Sequence, residues 1–418
     1  MSQPVIVYID LDGSMKLVGR LWSHSRRGRE SATFEYDRAW LGHPQRFALE
    51  PALTLGPGQF HTGADRKLFG SIGDSAPDSW GRLLIRRNAR QNARESGSGK
   101  HSLSEIDYLL AVDDLSRMGA LRFALHEQGP LLKENSQGRI PPLLALPSLL
   151  AAADHVVNND ESAEDLSLLL APGSSLGGAR PKASILDRKQ NLSIAKFPGR
   201  NDELDVITWE IVALNLAESA GIAVPMRRVE IIKGKPVLIL RRFDRSDGVR
   251  IPFLSALSMI GAADHEQSSY LEIADAIRRY GAAPETDLQN LWKRIVFNIL
   301  ISNVDDHMRN HAFLYTGPRG WRLSPAYDLN PTPTDVKPRI LSTCIDLYDS
   351  TASLDTAFSV VDYFGIPLVQ ARSMVADIGM AVSKWRSFAA TLGLSKTEID
   401  RMETAFEHID LKKATALI

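Results

Sequence analysis

The chain opens with the alternating pattern that is typical of a half-buried β-strand. Val5, Val7 and Ile9 would share one face of that strand. The turn residues Asp12-Gly13 follow, and a second extended stretch covers Lys16–Trp22. We therefore expect the chain to begin with a β-hairpin.

The later patterns predict a mixture of helices and strands. Ser79–Arg94 has leucines among arginines at helical spacing, and a short helix is expected at about 147–157. Across 166–240 the pattern predicts a strand, a glycine-rich turn, a strand, a helix, a strand, a turn and a strand. From about Ser255 onward it is mostly helical, with one hairpin near 311–328.

Composition limits the class of protein. The 418 residues suggest two or three domains, and 44% hydrophobic with 24% charged residues excludes disorder as the main state. The net charge of -1 offers no overall attraction to nucleic acid or membranes. The first hundred residues are basic, however, with 15 Lys/Arg against 10 Asp/Glu, or +5.

Cysteine content and apolar runs indicate the compartment. The single cysteine, Cys344, excludes a disulfide framework and a cysteine-based zinc site, and it fits a reducing environment. No basic and then apolar leader opens the chain. The most apolar segment, Leu143–Val157, is too short to span a bilayer and contains Pro147 and Asp154. We expect a cytoplasmic protein without a membrane association.

A glycine-rich segment at 172–182 is the first candidate for chemistry. Its three glycines and two serines follow the apolar run Leu168–Leu170 and would let backbone N–H groups approach an anion. A bare glycine-rich turn is more often only a turn. Downstream, alternation places Leu192, Ile194 and Lys196 on one strand face, where a lysine reaching for water is the common interpretation.

A carboxylate on an apolar helix face is the second candidate. On the helix predicted at about 202–220, Glu210 shares the apolar face of Ile207 and Leu214. A buried carboxylate needs a partner, and Lys196 on the neighbouring strand would supply one. Protein kinases use such a lysine–glutamate pair to position nucleotide phosphates.

A polar run, Asn303–Asn310, directly follows the helix predicted at about 288–301. Asp305 and Asn310 have the five-residue spacing of the aspartate and asparagine in a kinase catalytic loop. The plain alternative is a helix end with solvated charges. If the next hairpin pairs about Tyr315 with Trp321, Asn310 comes close to Asp328, and the two could share one Mg²⁺ ion.

Two alternatives stay open at this point. His307 and His311, with an aspartate, could form a zinc site, provided that one continuous helix spans 307–311. The run Arg241–Arg245 could be a hinge between lobes or merely a salt-bridged strand end.

Taken in order, these segments resemble the HipA family, the serine/threonine-kinase toxins of bacterial toxin–antitoxin systems. The resemblance covers most of the chain and rests on Val7-Tyr8-Ile9, Gly19-Arg20-Leu21, Ser75–Arg82, Ser174–Lys182, Ala195-Lys196-Phe197, Arg242–Arg245, Asp305–His311 and Pro325–Asp328.

The resemblance implies a role for each matching residue. Asp305 would be the general base, and Asn310 and Asp328 would hold Mg²⁺. Ser175 would be the autophosphorylated serine, with the adjacent Ser174 as the alternative. The residues implied to bind ATP are Gly177, Gly178, Ala179, Arg180, Pro181, Lys182, Lys196, Arg241, Arg242, Phe243, Asp244, His307, Met308, Arg309, Asn310, Tyr327 and Asp328. Among them, the backbone of 241–243 would bind adenine, and Asp244 would lie near the ribose.

The implied fold is α+β: a two-lobed protein-kinase-like fold with an added N-terminal β-rich subdomain and a mostly helical C-terminal lobe. Its parts would be an N-terminal subdomain at 1–125, a kinase N-lobe at 126–245 and a helical C-lobe at 246–418. The implied partners are a helix-turn-helix antitoxin of HipB type, operator DNA through that antitoxin, and a protein substrate such as an aminoacyl-tRNA synthetase. The alternative is a catalytically idle corepressor or antitoxin-binding module.

Overall fold

The computed structural model describes residues 3–63, 66–97, 102–132, 140–173, 178, 180–199, 202–264 and 266–417. The chain forms two compact units. Unit 1 comprises Met1–Asn201 and Arg227–Leu254, and unit 2 comprises Asp202–Met226 and Ser255–Ile418.

Unit 1 begins with a five-stranded antiparallel sheet in the order β4-β3-β2-β1-β5. Asp12 and Gly13 form the turn between β1 and β2 with positive φ, so the predicted opening hairpin is confirmed. The strands and the helices between them are β1 (Val5–Leu11), β2 (Ser14–Arg26), β3 (Arg29–Tyr36), α1 (Arg38–Gly42), β4 (Gln59–His61), α2 (Gly70–Gly73), α3 (Ser79–Glu95), α4 (Glu105–Ala111) and β5 (Leu121–Ala124).

A second, four-stranded sheet in unit 1 has the order β6-β7-β9-β8 and is antiparallel throughout. Two helices precede it, and a short hairpin follows it. These elements are a 3₁₀ turn (Leu143–Ala145), α5 (Leu146–Asn158), α6 (Ala163–Gly173), β6 (Lys182–Leu186), β7 (Leu192–Lys196), β8 (Arg227–Ile232), β9 (Lys235–Arg241), β10 (Arg245–Ser246) and β11 (Val249–Arg250).

One hydrophobic core joins helices α3, α5 and α6 to the second sheet, and it contains Trp80 of α3. The strand expected at the start of 166–240 is wrong, because α6 occupies that position. Leu166 and Leu169, three residues apart, are both buried in this core. That spacing places both side chains on one face of a helix, whereas a strand would direct them to opposite faces.

Unit 2 is mostly helical, as expected from Ser255 onward. Its elements are α7 (Val206–Ser219), β12 (Phe253–Ser255, which crosses the unit boundary), α8 (Ala256–Ile260), α9 (Tyr270–Tyr280), α10 (Pro284–Leu300), a 3₁₀ turn (Met308–Asn310), β13 (Ala312–Tyr315), β14 (Trp321–Leu323), α11 (Leu354–Ser359), a 3₁₀ turn (Val361–Phe364), α12 (Leu368–Val382), α13 (Trp385–Thr391), α14 (Lys396–Arg401), α15 (Glu403–Phe406) and α16 (Ile409–Thr415).

The core of unit 2 surrounds α7 and the C-terminal half of α10. Every residue of Ile295–Leu300 is buried. On α7, Trp209 lies 6.1 Å from Trp385, which stacks on Phe406 with ring centroids 4.6 Å apart. This packing fixes the end of α10, from which the predicted catalytic loop leaves.

The predicted hairpin near 311–328 is confirmed, including its register, because Tyr315 pairs with Trp321. Within the described ranges, no helix is long and apolar enough to cross a membrane.

Candidate functional site

The end of the glycine-rich segment is bonded to the first turn of α3 in unit 1. Lys182 Nζ lies 2.9 Å from Asp78 Oδ2, and both side chains are buried. Trp80 donates hydrogen bonds from its backbone N to the Gly178 carbonyl (3.4 Å) and from Nε1 to the Lys182 carbonyl (3.0 Å). Burial raises the pKa of Asp78 although the Lys182 charge opposes this.

Lys196 ends β7 directly opposite Lys182 of β6, so the two lysines share one face of the sheet. The other face carries the apolar residues Ala195 and Phe197 in the unit 1 core. Lys196 is half-buried. Its expected partner Glu210 is buried on α7 of unit 2, and their pairing stays a prediction.

Part of the predicted phosphate loop lies outside the described residues. This applies to Ser174, Ser175, Gly177 and Ala179. The described part consists of Gly178 and Arg180–Lys182, which we call the stem. Gly178 has a positive φ of 103°, and a Cβ there would lie 3.1 Å from Lys182 Nζ, so a glycine suits the position.

The predicted hinge is a strongly bonded segment of unit 1. Asp244 is buried, and its carboxylate accepts hydrogen bonds from Arg242, from Arg245 and from the backbone N of Gly119. Burial alone would raise the pKa of Asp244, but the two arginine charges outweigh it and hold the pKa well below its ordinary value. The prediction that Asp244 contacts a ribose stays untested, and these bonds already use its carboxylate.

Asp305 stands exposed on the predicted catalytic loop of unit 2. Its side chain is 60% exposed, and Oδ1 lies 3.4 Å from Lys337 Nζ. Asn310 donates from Nδ2 to the Asp305 carbonyl at 3.3 Å, and this bond closes the loop between them. An exposed carboxylate on a closed loop can accept a proton from a substrate that approaches from solvent.

The neighbouring Asp306 is buried and anchors the same loop. Its Oδ2 accepts hydrogen bonds from Tyr270 Oη, from Asn298 Nδ2 (2.8 Å) and from His311 Nε2 (2.7 Å), and its carbonyl accepts one from Thr343. Burial alone would raise the pKa of Asp306, but the His311 charge and the hydrogen bonds hold it below its ordinary value. We call Asp306, Tyr270, Asn298 and His311 the loop anchor.

The hairpin β13–β14 returns the chain to the catalytic loop, as expected. Tyr327 Oη donates to the Arg309 carbonyl at 2.7 Å, and Asn310 and Tyr327 line one small cavity. Asp328 follows with a positive φ of 60°, which a non-glycine residue rarely adopts. Asn330 Nδ2 donates to the Asp328 carbonyl at 3.2 Å and helps to hold that conformation. Backbone strain of this kind is common at functional sites.

The donors in this region suit Mg²⁺. Asn310 Nδ2 is committed to a carbonyl, so its side-chain oxygen is the atom left for a cation, and Asp328 adds a carboxylate. In the described parts of the chain, no three His, Cys, Asp or Glu side chains could form a metal site by themselves. Mg²⁺ is commonly held by one or two protein ligands together with substrate phosphates, which fits this pair.

The zinc alternative disagrees with the structure. It needs one continuous helix over 307–311, but Met308–Asn310 is a single 3₁₀ turn. The His311 side chain is buried against Asp306, whereas His307 is exposed.

Sequence reasoning missed the loop anchor and the Asp78–Lys182 ion pair. A signal existed for Asp78, which directly precedes the predicted helix and caps it by accepting a hydrogen bond from Gly81 N at 2.7 Å. The partners of Asp306 come from three separate elements, so no local pattern could reveal them.

Comparisons with known proteins found two family models that match the chain. The profile of the HipA N-terminal domain matches residues 9–124, and that of the HipA-like C-terminal domain matches 174–409. A Sinorhizobium fredii protein named "Putative kinase Y4mE" is 28% identical over 385 residues, which is 84% of this chain and 86% of that protein. A Haemophilus influenzae protein also named as a putative kinase is 22% identical over 37% of this chain and 52% of its own.

A solved structure shows the fold. It is the Shewanella oneidensis toxin–antitoxin complex of HipA, HipB and operator DNA, with a TM-score of 0.64, 15% identity, and coverage of 99% of this chain and 96% of that chain. The expected α+β, two-lobed protein-kinase-like fold is confirmed.

The loop anchor predicts a specific pH dependence of stability. Asp306→Asn should lower the free energy of unfolding at pH 7 by about 1.5–3 kcal/mol, since it weakens the hydrogen bonds that the buried carboxylate accepts. Because the folded-state pKa of Asp306 is depressed, its stabilisation is present above its unfolded pKa of about 4 and is lost as the pH falls below that value. Urea unfolding of both proteins should therefore converge in acid. Asp355→Asn, which changes an exposed side chain, is the control. A difference in the free energy of unfolding between the wild-type protein and Asp306→Asn that does not change with pH would contradict a charged Asp306.

Proposed function

Because the chain belongs to the HipA family of kinase-like proteins, we propose that it is an ATP-dependent serine/threonine protein kinase. It would transfer the γ-phosphoryl group of ATP to a hydroxyl group of a protein. The observation that carries this proposal is the catalytic loop, in which an exposed Asp305 stands on a backbone held by Asn310 and by the buried Asp306.

In the proposed reaction, Asp305 accepts the proton of the attacking hydroxyl through a side-chain oxygen. The hydroxyl oxygen forms a bond to the γ-phosphorus, and the bond from that phosphorus to the β,γ-bridging oxygen breaks, so that ADP leaves. In the structure, Lys337 Nζ lies 3.4 Å from Asp305 Oδ1, so a hydroxyl that approaches this carboxylate would also come close to Lys337.

The remaining residues would bind ATP. Lys196 and the stem would contact its phosphates, and the backbone of 241–243 would bind adenine. Asn310 and Asp328 would hold Mg²⁺, which when bound neutralises charge on the β- and γ-phosphates. The protein's contribution is therefore mainly to position these groups.

The proposed partner is a helix-turn-helix antitoxin of HipB type. Its support is the Shewanella oneidensis structure, in which the HipA protein is complexed with HipB and operator DNA. Operator DNA would be contacted through the antitoxin. The +5 charge of the first hundred residues would add attraction to the DNA phosphates. The proposed substrate is a translation component such as an aminoacyl-tRNA synthetase.

Incubation of the purified protein with γ-labelled ATP, Mg²⁺ and a bacterial lysate tests the activity. We expect label on a small number of lysate proteins and on the protein itself. Absence of any transfer, together with intact antitoxin binding, would favour the idle corepressor instead.

The general-base role predicts the effect of Asp305→Asn. This variant should keep its melting temperature and ATP affinity but lose at least about a hundredfold in phosphoryl transfer, since only the proton acceptor is removed. Single-turnover labelling measures the loss, with Asp355→Asn as an exposed control. Transfer at the wild-type rate would remove Asp305 from the base role.

The metal site predicts how Asp328 affects ATP binding. In the wild-type protein, Mg²⁺ should tighten ATP binding, and Asp328→Ala should abolish that gain while leaving metal-free affinity unchanged. Calorimetric titration of ATP with Mg²⁺ and with EDTA measures both. Equal affinity of the wild-type protein in the two buffers would contradict a site made by Asn310 and Asp328.

Autophosphorylation should occur mainly at Ser175. A phosphoserine adds about -1.5 to -2 charge at pH 7, and in a loop that binds phosphate it would repel ATP. Mass spectrometry after incubation with ATP should find one main site, which Ser175→Ala removes and Ser174→Ala retains. The phosphorylated protein should bind ATP more weakly, and equal binding by both forms would refute this mechanism.

A further inference from the structure

The ion pair between Asp78 and Lys182 connects two parts of the chain that are about a hundred residues apart. Its N···O distance is 2.9 Å, and the side chains are only 8% and 3% exposed. An ion pair so well shielded from water is costly to break, because either partner alone would be an uncompensated buried charge. The position of Lys182 is therefore tied to that of Asp78.

The pairing of β6 with β7 shows why Lys182 needs a counter-charge. Lys182 lies directly opposite Lys196, on the same face of the sheet. Like charges at directly opposed positions destabilise a sheet. Asp78 supplies a counter-charge for Lys182, the buried member of the two lysines.

Two hydrogen bonds from Trp80 hold the backbone of the same segment. They reach the carbonyls of Gly178 and Lys182, which lie at the two ends of the stem. The Trp80 ring is buried in the core that joins α3 to the second sheet. The core therefore fixes the position of Trp80, and the two hydrogen bonds fix the stem relative to Trp80.

We propose that Asp78 and Trp80 are positioning residues for ATP binding and that Lys182 acts through Asp78, not as a direct ligand of phosphate. They hold the stem in register with Lys196, the lysine that would contact phosphate in the proposed function. This inference rests on the proposed function, and it differs from the role that the resemblance implies for Lys182.

A double-mutant cycle separates the two roles of Lys182. Asp78→Asn keeps a good helix cap but removes the charge, and Lys182→Met removes the other charge. Each single variant should weaken ATP binding about tenfold, and the double variant should be no weaker than either one. If Lys182 instead binds phosphate directly, Lys182→Met should weaken ATP binding whereas Asp78→Asn, which leaves the Lys182 charge in place, should not, and that result would overturn the inference.

A matched control isolates the stem. Asp37→Asn alters another helix-capping aspartate that is paired with an arginine, Arg20, and it should leave ATP affinity unchanged. Trp80→Phe keeps an aromatic ring but removes the Nε1 donor, so it tests the second contact even if Asp78→Asn folds poorly. In Asp78→Asn and in Trp80→Phe we expect the KM for ATP to rise, while kcat at saturating ATP stays within about twofold of the wild-type value.

Hydrogen exchange provides a readout that does not depend on kinase activity. Amides of 180–186 should exchange faster in Asp78→Asn than in the wild-type protein and in Asp37→Asn, while those of β1–β3 stay unchanged. Unchanged exchange at 180–186 would refute the inference, whether or not the wild-type protein transfers phosphate. The wild-type protein could also fail to bind ATP while amides of 180–186 still exchange faster in Asp78→Asn. That result would refute the proposed function and the ATP-binding role, but it would support the contact between Asp78 and Lys182.

Discussion

A buried carboxylate must be paired, and this constraint shapes the predicted catalytic loop. Asp306 is inaccessible to water and accepts hydrogen bonds from Tyr270 of α9, Asn298 of α10 and His311, which directly precedes β13. Displacing the loop would leave these polar groups without partners in the core, which is costly. The preceding residue, Asp305, is 60% exposed. The same loop thus holds Asp306 rigidly inside the protein and presents Asp305 to solvent.

The same constraint operates in unit 1, where charged groups hold the segments around the proposed nucleotide site. Asp244 joins the predicted hinge segment to the N-terminal region through Arg242, Arg245 and Gly119. The Arg245 guanidinium is so buried that its pKa falls to about 9. Such networks fix geometry more than they add stability, since desolvating the charges offsets much of their attraction. They suit a site in which catalysis depends on positioning.

Much of the fold was predictable because it is encoded locally. Alternation predicted the opening hairpin, and turn residues predicted the pairing of Tyr315 with Trp321. The strand predicted near Leu168 was wrong because a short apolar run does not distinguish a strand from a buried helix. The loop anchor could not be predicted, since Tyr270, Asn298 and Asp306 meet only through tertiary packing. Local spacing suggested Asp305 and Asn310 but not what holds them.

The two matched family domains are not independent structural units. The HipA N-terminal domain match ends at residue 124, and the C-terminal match begins at 174. Yet Trp80 and Leu84 from the first share one core with Ala195 and Phe197 from the second. Removing the N-terminal region would expose this apolar surface and deprive Lys182 of its counter-charge, Asp78. The N-terminal region is therefore part of the body that carries the stem and Lys196, and a change at α3 acts directly on that body.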